Sequence, residues 1–297
     1  MSDGRVEVVV TAEVGPRIIR FGFVGQANEF CEIPSQSGRT GGKEWRLYGG
    51  HRLWRAPEDK KLTYLPDNRP VAWRRIGNGL KVIQAVEAVT GLRKEIEIAF
   101  APRSGRVSVL HRISNRGRKA AVLSLWAITA LAPGGIEIVP QEEKDTGLLP
   151  NRALALWPYT RLDDPRVRWG EKHIVIRQDP RLARPFKIGV SGGPGWAAYF
   201  NRGRLFVKTY RPVPDAPYPD FGASYETYAN DIMLEMETLS PLARLLPGES
   251  AEHQEEWSLF DGVPFPGDDE KTLEKYLMTE QRTRKSVYVY REETKVR

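Results

Sequence analysis

Apolar and polar residues alternate with a period of two along most of this chain. Ile96, Ile98 and Phe100 alternate with Glu95, Glu97 and Ala99, and Val107, Val109, His111 and Ile113 alternate with Ser108, Leu110 and Arg112. Leu80, Val82, Gln84 and Val86 form a third such set. Successive side chains of a strand point to opposite faces, so this pattern predicts half-buried strands. Turn residues separate the runs: Gly77-Asn78-Gly79, Thr90-Gly91, Pro102-Arg103-Ser104-Gly105, Asn115-Arg116-Gly117 and Asn201-Arg202-Gly203. Short turns between such runs make antiparallel hairpins.

The pattern predicts further strands at 6–10, 16–24, 120–131, 152–157, 172–178, 185–190, 195–200, 204–210, 223–229, 231–238 and 251–260. Helical spacing is convincing only over Asp268–Met278, where acidic residues precede Leu273 and Leu277 and favour a helix N-terminus. The expected fold class is therefore all-β: a large antiparallel sandwich with very little helix. No polar linker divides residues 1–265, which read as one domain. Residues 266–297 read as a charged tail with a short helix and one strand-like stretch, Ser286-Val287-Tyr288-Val289-Tyr290. Such a tail would pack on the sandwich or on a partner subunit, making the protein a monomer or a homodimer.

Composition adjusts this picture in a few places. Of 297 residues, 40% are hydrophobic and 10% aromatic, enough for a packed core. The net charge is +7, but its 31 arginines and 14 lysines are spread along the chain. Without a basic stripe or a binding motif, no nucleic-acid partner is expected. No run of about 18 apolar residues exists, so no membrane-spanning helix is expected. Met1-Ser2-Asp3-Gly4 leads straight into a strand-like run, which points to a cytoplasmic protein. Cys31 is the only cysteine, and His51, His111, His173 and His253 have no HxxxH or HxH spacing. Neither a metal nor any other cofactor is expected.

Three segments carry candidate chemistry. Tyr48-Gly49-Gly50-His51-Arg52-Leu53-Trp54-Arg55-Ala56-Pro57-Glu58 reads as a loop. Its glycines let the backbone turn or approach a ligand closely, Arg52 can grip vicinal hydroxyls, and Trp54 offers an apolar face to a sugar ring. Met233-Leu234-Glu235-Met236-Glu237-Thr238 reads as a strand with Glu235 and Glu237 opposite Leu234 and Met236. Two carboxylates on one face, about 6.5 to 7 Å apart along a strand, can supply a general base or acid, although a solvated strand face looks the same. Tyr218-Pro219-Asp220-Phe221-Gly222-Ala223-Ser224-Tyr225-Glu226-Thr227-Tyr228 combines the acids and aromatics of carbohydrate clefts, as do Trp157 and Tyr159. His111 and His253 fit hydrogen-bonded structural positions, and Cys31 fits a buried thiol.

The residues also resemble a known family. Gly15-Pro16-Arg17-Ile18-Ile19-Arg20-Phe21 is similar to the opening strand of galactose mutarotase-like (aldose 1-epimerase-like) proteins. His111-Arg112-Ile113-Ser114-Asn115 resembles their central strand. Leu234-Glu235-Met236-Glu237 followed by Leu246-Pro247-Gly248-Glu249-Ser250 resembles their closing segment. Gly49-Gly50-His51-Arg52-Leu53-Trp54, Ala56-Pro57-Glu58 and Glu237-Thr238-Leu239-Ser240-Pro241 resemble, more narrowly, a bacterial family of uncharacterised proteins within that superfamily. The resemblance, over roughly residues 5–260, implies a β-supersandwich with a sugar cleft on one sheet. It implies Glu235 as the general base and Arg52 as a sugar contact. The family's catalytic histidine belongs to an Asn-His-x-Tyr-Phe motif, and this chain has Leu125-Trp126-Ala127-Ile128-Thr129 there.

Two functions follow. One is an aldose 1-epimerase-like enzyme with Glu235 as base and His51 as replacement acid. Its sugar would be held by Arg52, Trp54, Glu58, Asp220, Tyr225, Glu226, Glu237, Trp157 and Tyr159. The other is a carbohydrate-binding protein that lacks the usual catalytic histidine. Either reading expects Glu235, partly exposed, within a sugar's width of His51 or Arg52.

Overall fold

A computed structural model of the chain describes residues 1–101 and 105–283. The turn residues Pro102, Arg103 and Ser104 and the strand-like stretch Ser286–Tyr290 lie outside the described residues. Among the described residues there are nineteen strands: β1 (Val6–Val10), β2 (Arg17–Phe23), β3 (His51–Ala56), β4 (Ala72–Ile76), β5 (Gly79–Ile83), β6 (Leu92–Ala101), β7 (Arg106–Asn115), β8 (Ala121–Leu131), β9 (Ile136–Pro140) and β10 (Leu154–Leu156). They continue as β11 (Val167–Trp169), β12 (His173–Arg177), β13 (Phe186–Val190), β14 (Trp196–Asn201), β15 (Arg204–Tyr210), β16 (Tyr225–Ala229), β17 (Leu234–Leu239), β18 (Ala243–Leu245) and β19 (Ser250–Phe260). One sheet runs β1-β2-β3-β8-β17-β16-β13-β10, with β18 also on β8; the other runs β11-β12-β9-β14-β15-β19-β7-β6-β5-β4. Every pairing is antiparallel among the described residues. The chain is thus an all-β sandwich with one α-helix.

The period-two pattern builds the core directly. Ile96, Ile98, Val107, Val109 and Ile113 from the second sheet meet Leu53, Leu125, Leu234 and Met236 from the first between the two layers. Phe21, Phe30, Phe206 and Trp257 interlock there, with ring centroids 5.4 to 6.3 Å apart. The helix α1 (Glu270–Thr283) lies outside the sandwich. Asp269 caps it by accepting the Thr272 N–H at 2.8 Å, and Leu273 and Leu277 pack against Ile138, Val175 and Phe200 on the outer face of the second sheet. The Glu270 carboxylate accepts the backbone N–H groups of Lys172 and His173, tying the helix start to the β11–β12 turn.

The largest departure from the pattern concerns residues 51–56. They form strand β3, not a loop, and join β2 to β8 in the middle of the first sheet. Both faces of β3 are buried, so no apolar–polar alternation marks it as a strand. Gly49 and Gly50 have φ of +83° and +66°, and their close neighbours are backbone: a Cβ there would lie 2.1 Å from the Cys31 carbonyl oxygen or 2.2 Å from that of Ile18. They fit the chain against itself; the approach to a ligand expected of them is not what the fold uses them for.

Candidate functional site

Strand register lays out a polar patch on the outer face of the first sheet. Arg52 on β3 and Glu237 on β17 both pair with Ile128 on β8, and Glu226 on β16 pairs with Glu237. In the next row Glu235 pairs with Tyr228, and Tyr228 with Lys187 on β13. Parity does the sorting. Leu234, Met236, Leu53, Thr227 and Ile188 turn inward, so Glu235, Glu237, Arg52, Glu226 and Lys187 share the opposite face.

The charged groups on this floor pair with one another. Arg52 Nη1 donates to Glu235 Oε1 at 2.7 Å. Lys187 Nζ lies 2.8 Å from both Glu226 Oε2 and Glu237 Oε2, and Trp126 Nε1 donates to Glu237 Oε2 at 2.7 Å. The Lys187 ammonium also sits over two indoles, 4.4 Å from the Trp126 centroid and 4.7 Å from that of Trp157. The Arg52 guanidinium lies 4.4 Å from the Trp54 centroid. Desolvated contacts of this kind contribute up to about 2 kcal/mol each. Trp45, Trp54, Tyr64 and Trp126 continue as an aromatic cluster, with neighbouring centroids 4.9 to 5.5 Å apart.

Burial shifts the acids. Glu237 is raised, first by burial and then by the Glu235 charge, against the opposing pull of Lys187. Glu226 is raised further, by burial with Glu237 and Asp220 nearby. Lys187 is raised although burial works against it, because the Glu237 and Glu226 carboxylates favour the ammonium. Arg52, Glu235, Glu237, Glu226 and Lys187 are each 5% exposed or less, so Glu235 is more enclosed than expected. A partly exposed rim surrounds them. Tyr159, 38% exposed, lies close enough to Lys187, Glu237, Tyr228 and Glu58 to feel their charges. The Tyr64 hydroxyl donates to Glu58. Burial raises the phenols of Tyr64 and Tyr159, which keeps both as neutral O–H donors. Asp220 and Phe221 have φ of +50° and +61°, uncommon for side-chain-bearing residues. Beside β2, an open groove of about 540 Å³ is lined by Glu13, Ile19, Glu32, Arg39 and Tyr48, among others, and by none of the paired floor residues.

The structure therefore brings together Glu235, Glu237, Arg52, Trp54, Glu226, Trp157, Tyr159, Glu58 and Asp220. It does not bring His51 or Tyr225 to them. His51 is fully buried between the sheets because it precedes Arg52 by one residue on β3 and so faces the other way. The replacement acid expected there is on the wrong side of the sheet. Tyr225 also points inward and donates its hydroxyl to Glu137, so it is no cleft wall. The histidines instead form an interior chain. His111 Nδ1–H donates to the His253 carbonyl at 2.9 Å, which leaves its Nε2 to accept from His51 Nε2–H at 2.7 Å, while His51 Nδ1 accepts from Thr129 at 2.8 Å. Thr238 donates to Glu255 and accepts from His253 Nε2 at 2.7 Å. Burial holds all three imidazoles below their usual range, His253 at about 3.

His51, His111 and Glu255 lie close enough together to invite comparison with a metal site. Their atoms are already committed. The two imidazole nitrogens share a hydrogen bond, and Glu255 is held by Trp257 Nε1 at 2.8 Å and Lys208 Nζ at 3.0 Å. A buried ammonium beside the carboxylate opposes a cation there, so the cluster fits a hydrogen-bonded network and not a metal.

Lys187, Trp126, Trp45 and Tyr64 were not singled out from the sequence. Parity within 185–190 could have placed Lys187 on a polar face, but nothing local ties it to β17. Cys31 is buried, with burial pushing its thiol up to about 12.

No family model and no curated protein matches the sequence. Solved structures do match in fold. A candidate aldose 1-epimerase from Escherichia coli K12 is 13% identical, with 88% of this chain and 97% of that one covered and a TM-score of 0.56. A galactose mutarotase-like protein from Lactobacillus casei is 10% identical over 88% and 99% of the two chains, also at 0.56. A galactose mutarotase-like protein from Clostridium acetobutylicum is 10% identical over 87% and 93%, at 0.51. Two antiparallel layers in this strand order, matched along most of their length, give this chain the galactose mutarotase-like fold.

Proposed function

We propose that the protein is a carbohydrate-active, aldose 1-epimerase-like enzyme whose sugar lies on the outer face of the first sheet. The observation that carries this reading is the Arg52–Glu235 pair, 2.7 Å apart, set among Trp54 and Trp126 on the central strands and Trp157 just after the edge strand β10. Ring opening of an aldose needs a base at the anomeric O–H and an acid at the ring oxygen. Glu235 is the base, and Arg52 orients its carboxylate and the adjacent sugar hydroxyls. Trp157 and Tyr159 supply apolar faces and a hydroxyl for a pyranose. The rim must turn aside to admit the sugar, a side-chain change common on binding. The substrate is a small-molecule carbohydrate, and no cofactor is required for the step.

A second reading has one specific observation in its favour. All four histidines lie away from the face: His51, His111 and His253 are interior, and His173 is paired with Glu270. A protein that binds a sugar without opening it would need no acid. An exchange measurement by NMR across a set of aldoses, beside thermal shifts with the same sugars, separates the two. Exchange that Glu235→Gln abolishes supports the enzyme. Stabilisation without exchange supports the binding protein, and neither effect with any aldose removes both.

A further inference from the structure

The floor of the candidate site holds three carboxylates and two cations. Glu235 faces Arg52, whereas Glu226 and Glu237 share Lys187, with one carboxylate oxygen each 2.8 Å from the same ammonium. The two acids are direct partners across β16 and β17, and both are buried. Two ionised carboxylates in such a place repel strongly, and one ammonium balances only one of them. The other charges around them do not make up the difference. Asp220 and Glu235 add negative charge on this face and Arg52 is already paired, while Glu137 and Lys208 lie on the inner side of the sheet.

Glu237 also has an oxygen to spare. Its Oε2 accepts from Trp126 and Lys187, and its Oε1 is buried without a hydrogen-bond partner. That free oxygen belongs to the residue two positions from Glu235 on the same strand face, about 6.5 to 7 Å along the chain. The two carboxyl groups can therefore flank neighbouring oxygens of one sugar.

We propose that Glu226 and Glu237, bridged by Lys187, hold one proton between them, and that Glu237 is the general acid of the reaction. This rests on the epimerase reading above. Glu235 takes the proton of the anomeric hydroxyl, the bond between C1 and the ring oxygen breaks with its electron pair moving to that oxygen, and the ring oxygen takes the proton of Glu237. C1 becomes an aldehyde carbon. After rotation about C1–C2 the freed hydroxyl adds back, giving its proton to Glu237, while Glu235 returns its proton to the carbonyl oxygen, which becomes the new anomeric hydroxyl. Nothing is oxidised or reduced, and no co-reactant is consumed. Burial, which pushes both carboxyl groups above their ordinary range, agrees with a proton retained at neutral pH.

The test uses the full chain, with exchange of aldose anomers by NMR and infrared difference spectra of the carboxyl region. Glu237→Gln is expected to lose at least about 10²-fold in exchange rate while keeping sugar-induced thermal stabilisation. Glu226→Gln is expected to lose exchange at neutral pH and to recover it at lower pH. Because it removes a negative neighbour, Glu237 then ionises more readily, and the alkaline fall in rate moves to lower pH. In infrared difference spectra of wild type minus each variant, a protonated-carboxyl band is expected at neutral pH, the contribution of buried Glu137 being common to all three and cancelling. If Glu237→Gln does not fold, Glu237→Asp, which keeps the charge and shortens the reach, should show the same loss. Full exchange in either Glu237 variant overturns the acid role, and difference spectra that show no protonated-carboxyl band overturn the sharing. A wild-type chain that exchanges no aldose overturns the epimerase reading and the acid role together, while the infrared result still decides the shared proton by itself.

Discussion

Two polar clusters sit back to back across the first sheet, sharing strands β3 and β17, and they solve burial differently. The inner one, His51, His111, His253, Thr238, Glu255 and Lys208, is fully enclosed, and its neutral imidazoles each have a defined donor or acceptor role. The outer one, Arg52, Glu235, Glu237, Glu226 and Lys187, is almost as enclosed but leaves polar atoms without partners: Arg52 Nε, Glu237 Oε1 and Glu226 Oε1, with Trp45 Nε1 beside them. Natural proteins pair most buried polar groups. A satisfied network stabilises and specifies the fold, whereas a polar patch with open valences under a movable rim is suited to receive a ligand. Neighbouring residues of one strand, His51 and Arg52, belong to the two different kinds.

The comparison breaks first at the inner cluster. Glu255→Ala leaves the Lys208 ammonium buried without its counter-charge, and we expect a loss of about 3–5 kcal/mol in urea unfolding. A loss below about 1 kcal/mol would mean the network contributes little to the fold. At the outer cluster, Glu235→Gln should act on rate before stability. We expect anomer exchange to fall at least about 10²-fold, with an unfolding midpoint much closer to wild type than that of Glu255→Ala. The reverse order would exchange the roles assigned to the two clusters.

The inner cluster also predicts two opposed pH trends. Burial holds His253 at about 3 in the folded chain, against about 6.5 for a free imidazole. The unfolded chain thus takes up a proton that the folded chain refuses, and stability falls as pH drops from about 6.5 towards 3. Glu137 is raised by burial to about 8 from 4.5. The unfolded chain releases that proton first, so this contribution to stability falls as pH rises from about 4.5 to 8. Denaturant melts of Glu137→Gln, which cannot ionise, should show a flatter decline on the alkaline side than wild type and an unchanged decline on the acid side. Equal slopes in both proteins would place the proton elsewhere. The smallest effect is expected at the rim: Tyr64→Phe removes only the donor to exposed Glu58, and its stability should stay within about 0.5 kcal/mol of wild type.

Legibility followed the same division. Strands with one face in the core, such as Val107–Ile113 and Leu234–Thr238, announced themselves by alternation, and parity correctly separated Glu235 and Glu237 from Leu234 and Met236. The segment 51–56 did not, because Arg52 and Trp54 are buried on one face and His51 and Leu53 on the other. Read as a loop, it allowed His51 and Arg52 to point the same way; as a strand it forbids it. The gap at the usual histidine motif was visible in Leu125–Thr129, but the residue that fills the strand, Trp126, is seen to hold Glu237 only once β8 and β17 are paired.

What the sequence determined by itself was therefore local: which segments with one apolar face are strands, how most of their faces divide, and that the fold class is all-β with very little helix. These follow from backbone geometry, which fixes the side-chain period wherever one face is apolar. What only the tertiary structure decided was the company each polar residue keeps. Lys187 meets Glu237 from 50 positions away, and Arg52 meets Glu235 across 183. Such pairings depend on strand order and register in the sheet, and those are set by the packing of the whole sandwich and not by any single segment.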